Sequence, residues 1–113
     1  MWTPMSERRP CASDWDAHGK ILIWDSNNGC MVGKVESRRD ILREPVTHWQ
    51  AIPGKWIPKV RKMPTIFDAD RQGCVLVLDM HTGAKMMGWN NPAFLDHEIV
   101  GWQKAPAAPE SEA

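Results

Sequence analysis

At 113 residues and 42% hydrophobic content, the chain carries enough apolar material for one modest core, which excludes a wholly disordered polypeptide. Fourteen Lys and Arg balance fourteen Asp and Glu, so no global field draws it to nucleic acid or to an anionic membrane, and partners must be selected by local features. Three cysteines, Cys11, Cys30 and Cys74, are odd in number and lack CxxC spacing, which argues against a disulfide framework or a zinc site.

The chain opens on MWTPMSERRP, charged and proline-containing where a signal peptide needs an apolar run, and the expected location is the cytoplasm. Lys20–Trp24 is β-branched and apolar, Asp25–Gly29 is a turn sequence, and Cys30–Val35 is expected to return as a second strand, making a hairpin. Glu36–Glu44 is expected to form a short helical turn, and Val46–Ile52 a third strand ended by Pro53. After Gly54 and Lys55 the pattern starts again. Cys74–Leu78, a turn over Asp79–Gly83 and Ala84–Trp89 predict a second hairpin; Asn91-Pro92 is expected to start a turn running to His97, and Ile99–Lys104 a third strand.

These correspondences are residue by residue. Trp2 falls on Trp56, Pro4 on Pro58, Pro10 on Pro64, Asp14 on Asp68, Asp16 on Asp70, Gly19 on Gly73, Asp25 on Asp79 and Gly29 on Gly83, without a gap. One residue inserted inside the hairpin then brings Met31 and Gly33 onto Met86 and Gly88, and Trp49 falls on Trp102 further on. Large and special residues in fixed order are the trace of duplication. The expected architecture is all-β, or β-rich α+β: two three-stranded units, residues 2–53 and 56–106, each with a short helical turn and packed as one pseudo-twofold domain. Residues 107–113 have no counterpart and are expected to be a disordered tail.

Seven Trp with no Tyr is an unusual aromatic set. The repeated Trp2, Trp49, Trp56 and Trp102 are expected in the core, where a large ring supplies area that a small unit lacks. Trp15, Trp24 and Trp89 have no Trp counterpart; they face Ala69, Leu78 and, beside the inserted residue, Lys34. These three, with His18 and His48, are the candidate binding residues. Both Asp14–Gly19 and Asp68–Gly73 read D-x-D-x-x-G with Asp25 or Asp79 at the twelfth position, the register of a calcium loop. His18 or Gln72 at the fifth position, a short Asp at the twelfth and flanking strands favour an Asx turn instead, so no metal and no cofactor is expected. The histidines are scattered and give no nucleophile–base pair by spacing, so no catalytic residues are assigned. Lys55–Lys62 gathers four cations around Trp56, but it is short, and nucleic acid is an unfavoured partner.

The pattern Trp2, Pro4–Arg8, Pro10, then Gly19, Ile21–Asp25, and finally Thr47–Trp49 with Pro53 resembles a small phage and prophage family, the domain of unknown function DUF551. The first copy looks like a whole member; in the second, Leu78 replaces Trp24 and Gly101 replaces His48. The resemblance implies a bacteriophage or prophage accessory protein and brings no known activity. The expected function is non-enzymatic binding of a bacterial host protein, such as a component of a defence system. A small-ligand or nucleotide module and a virion structural protein are the alternatives. No membrane association is expected, and a homodimer is left open.

Overall fold

The computed structural model describes residues 2–34 and 44–109; the helical turn expected over 36–44 lies almost wholly outside them. The chain divides into two compact units, Met1–Ile52 with Pro106–Ala113, and Pro53–Ala105. Each is a four-stranded antiparallel sheet, and among the described residues the only helices are short 3-10 turns. None is long and apolar enough to cross a membrane.

In unit 1 the strands are β1 (Thr3–Pro4), β2 (Lys20–Asp25), β3 (Gly29–Lys34) and β4 (Val46–Gln50), arranged β1-β4-β2-β3. Unit 2 repeats this order with β5 (Ile57–Pro58), β6 (Cys74–Asp79), β7 (Gly83–Gly88) and β8 (Ile99–Gln103). The expected three strands per unit become four, because the segment carrying Trp2 or Trp56 adds a two-residue edge strand. So short a strand leaves no alternating pattern to read, and its proline, unable to donate to a ladder, is at home on an edge.

The central hairpins close by the same chemistry twice. Asp25 Oδ1 accepts from the amides of Asn27 and Asn28 at 2.8 and 3.1 Å; Asp79 Oδ1 accepts from those of His81 and Thr82 at the same distances. Gly29 and Gly83 then take φ of 83° and 85°, where a Cβ would be strained. A register shift recurs just before each aspartate, at Trp24/Asp25 and Leu78/Asp79.

The pairing also corrects the sequence alignment. Lys20 to Asp25 pair with Lys34 to Gly29, and Cys74 to Asp79 pair with Gly88 to Gly83, without interruption. No residue is inserted inside either hairpin. The length difference lies in the following connection, which runs 35–45 in unit 1 and 89–98 in unit 2, one residue shorter. The misplacement comes from Met86 and Gly88, which repeat the spacing of Met31 and Gly33 one residue out of register. Met31 packs on the unit 1 core opposite Ile23, whereas in unit 2 the core methionine is Met87 opposite Val75, and Lys85 takes the place of Met31 with its ammonium 3.3 Å from Asp79. The core methionine lies two residues further along the return strand in unit 2, on the same face. Without the insertion Trp89 falls on Val35, outside the described residues, rather than near Lys34.

Strand alternation sets the cores. Ile21, Ile23, Val46 and Trp49 form that of unit 1, and Val75, Val77, Phe94, Ile99 and Trp102 that of unit 2. Phe94 arrives from a 3-10 turn, Pro92–Leu95, capped by Asn91, whose side chain accepts from the Ala93 amide. Of the four tryptophans expected in the core, Trp49 and Trp102 are buried, and each indole N–H donates at 2.7 Å to an equivalent carbonyl, Arg8 or Lys62. Trp2 and Trp56 are only half-buried, because they precede an edge strand. The expected tail is partly ordered as well: Ala107 O accepts from the Trp2 indole at 2.6 Å, and Pro109 is buried.

Candidate interaction surface

Of the five residues singled out by sequence, four belong to unit 1 and Trp89 to unit 2, and within unit 1 Trp15 and Trp24 lie on opposite faces of the sheet. Trp15 is half-buried against Ile21, Ile23, Val46 and Trp49. Trp24 lies on the opposite face of the same sheet, since it alternates with Ile23. Its ring meets Trp2 edge to face at a centroid distance of 5.9 Å, and its indole N–H is buried without an acceptor among the described residues. His48 is buried on the strand beside it, paired with Trp24 on one side and Pro4 on the other, with Nδ1 2.8 Å from Thr47 Oγ1. Trp89 belongs to unit 2, half-buried against its core. His18 is exposed.

Within unit 1 the structure thus brings Trp24 and His48 together, on the sheet face opposite Trp15. In unit 2 the matching positions are Leu78 and Gly101, and space explains the exchange: a Cβ on Gly101 would meet Ile57 O at 3.1 Å and Trp56 Cβ at 3.5 Å. The Ile57 carbonyl and the Trp56 Cβ crowd the glycine position in unit 2, whereas in unit 1 the Trp2 ring meets Trp24.

The acidic loops are occupied by their own backbone. Asp16 Oδ1 accepts from the amides of His18 and Lys20, and Asp70 Oδ1 from those of Gln72 and Cys74. Asp14 accepts from the Cys11 amide and Asp68 from that of Thr65, each closing the 3-10 turn it ends. These amides, first, hold both carboxyls below the usual aspartate range. No group of three His, Cys, Asp or Glu able to hold a metal occurs among the described residues.

The surface that stands out overlaps Lys55–Lys62, which the sequence marks only for its cations; its apolar residues are not singled out. Val60, Ile66 and Phe67 in unit 2 are 92, 60 and 89% exposed, with Met63 at 42%. All lie between β5 and β6, on a segment pinned at several points. The amides of Arg61 and Lys62 donate to Pro58 O, Lys62 O accepts from Trp102, and Asp68 caps Thr65. Lys59 Nζ donates to the carbonyls of Phe94 and Asp96, which ties Leu95, 83% exposed, to the same segment.

Unit 1 provides an internal control. Apart from those of Lys59, whose place Met5 takes, the same bonds hold its equivalent segment: the amides of Glu7 and Arg8 donate to Pro4 O, the Trp49 indole to Arg8 O, and the Cys11 amide to Asp14. Yet Ser6, Ala12 and Ser13 stand where Val60, Ile66 and Phe67 do. The backbone therefore does not require the apolar side chains, and the exposed apolar set is an addition to the scaffold. A comparison of the two copies at exposed positions was the signal that could have found it. No known protein family, curated protein or solved structure matches the chain.

Proposed function

We propose that the protein is a non-enzymatic binding module whose partner docks on the segment between β5 and β6. The observation that carries this reading is the replacement of Ser6, Ala12 and Ser13 by the exposed Val60, Ile66 and Phe67 on a backbone held by the same backbone and indole hydrogen bonds. Exposed apolar side chains that contribute nothing to folding cost solubility unless a partner covers them, and a few such anchors dominate the energy of an interface. The resemblance of the first copy to a phage family makes a bacterial host protein, such as a component of a defence system, the partner to seek.

The test uses the residues of copy one as the replacements. In the triple variant Val60→Ser, Ile66→Ala and Phe67→Ser the stability is expected to stay within about 0.5 kcal/mol of the parent, as for surface changes away from any packed feature. Capture of a host protein by the tagged chain is expected to be lost. A partner retained at full strength by a folded triple variant contradicts the reading.

A further inference from the structure

The same segment carries an electrostatic bias. Over 56–67 there are three cations, Lys59, Arg61 and Lys62, and no acid; over the equivalent 2–13 there are two cations, Arg8 and Arg9, and one acid, Glu7. Arg61 occupies the place of Glu7, and Lys55 adds a further cation. Lys59 is occupied by two carbonyls, whereas Lys55, Arg61 and Lys62 are exposed. Asp68, the next acid along the sequence, is buried, bonded to Thr65 and under the electrostatic influence of Lys62, and Asp96, whose carbonyl accepts from Lys59, is exposed. In a chain of zero net charge, three exposed cations stand on or beside the segment that displays Val60, Ile66 and Phe67.

We infer that the partner presents an acidic protein surface with an apolar centre, Lys55, Arg61 and Lys62 meeting its carboxylates while Val60, Ile66 and Phe67 enter the centre; this rests on the function proposed above. Complementary charge around an apolar centre speeds encounter and fixes orientation. Nucleic acid fits less well, because Val60 and Ile66 have no ring to stack on a base and a phosphate backbone offers no apolar pocket. An anionic bilayer fits less well too. Insertion needs the apolar face to sink about 5–10 Å below the headgroups, and this segment is held to its sheet by the bonds to Pro58 and Trp102.

The full chain can be titrated with four probes: two amphipathic peptides alike except that the polar positions are Glu in one and Lys in the other, an oligothymidylate, and phosphatidylcholine vesicles containing phosphatidylglycerol. The Glu peptide is expected to bind at least about tenfold more tightly than any other probe, with affinity falling as salt is added. Lys55→Glu with Arg61→Glu is expected to abolish that preference, and the apolar triple variant to abolish binding of both peptides. Equal binding of the two peptides, lost in the triple variant, overturns the acidic partner and leaves the docking segment standing. Tighter binding of vesicles or oligothymidylate, or no binding of the Glu peptide, overturns the inference as well. Peptide binding unchanged in the triple variant overturns both.

Discussion

Trp102→Ala is expected to lower the stability of the protein by about 3–5 kcal/mol, read as a shift in the chemical denaturation midpoint. The ring is 1% exposed, in a core with Val75, Val77, Phe94 and Ile99. Removing it leaves a cavity in that core, and the carbonyl of Lys62 loses the indole donor at 2.7 Å. Trp102→Phe is expected to lose less, since the ring volume is largely kept and only the bond is lost. Trp49→Ala is the matched experiment in unit 1, where the indole N–H donates to Arg8 O and the Arg8 guanidinium lies 4.6 Å above the ring. A loss below about 1 kcal/mol for either alanine variant contradicts the assignment of these rings as core anchors.

The second large effect is expected at the turn aspartates. The Asp79 carboxyl is pushed down to about 2, first by the amide of His81, then by that of Thr82 and by Lys85, against the cost of burial. Its folded pKa lies below the roughly 3.9 of an unfolded aspartate, so the charged form stabilises the fold. That contribution is complete above about pH 4 and is lost as pH falls through about 2. Asp79→Ala removes the acceptor of two turn amides and the partner of Lys85, at a cost of about 1–3 kcal/mol at neutral pH. Asp79→Asn retains an acceptor oxygen and is expected to cost less, while flattening the acid limb of stability against pH. Melting measured in a pH series on the parent and both variants checks this. An acid limb of unchanged steepness in the asparagine variant contradicts the assignment.

Much of the fold was legible in the sequence because its determinants are local. β-branched runs bounded by Asp and Gly turns define both hairpins, and the second copy repeats them at fixed spacing. Two features escaped. The edge strands Thr3–Pro4 and Ile57–Pro58 are two residues long and owe their existence to pairing with β4 and β8, a non-local cause. The hairpin alignment slipped because Met86 and Gly88 repeat the spacing of Met31 and Gly33, whereas the pairing sets Lys85 and Met87 at those positions, so residue identity misled where cross-strand register did not.

The candidate site was less legible for a related reason. Trp15, Trp24 and Trp89 attracted attention because they lack Trp counterparts, yet an unmatched large residue can equally be a local repacking. The exchange of Trp24 and His48 for Leu78 and Gly101, with the Ile57 carbonyl and the Trp56 Cβ against the glycine position, is of that kind. Val60, Ile66 and Phe67 are ordinary residues by type. Their meaning comes from exposure, which depends on the path of the backbone after β5 and is not written in any local pattern.

The central claim, that the partner meets the segment between β5 and β6, is tested most directly by hydrogen–deuterium exchange on the full chain with and without the captured partner. Slowed exchange confined to peptides spanning 55–67, with the edge around Leu95, is the predicted result. Protection over 12–24 with none over 55–67 would return the binding site to Trp15 and Trp24 and contradict the account.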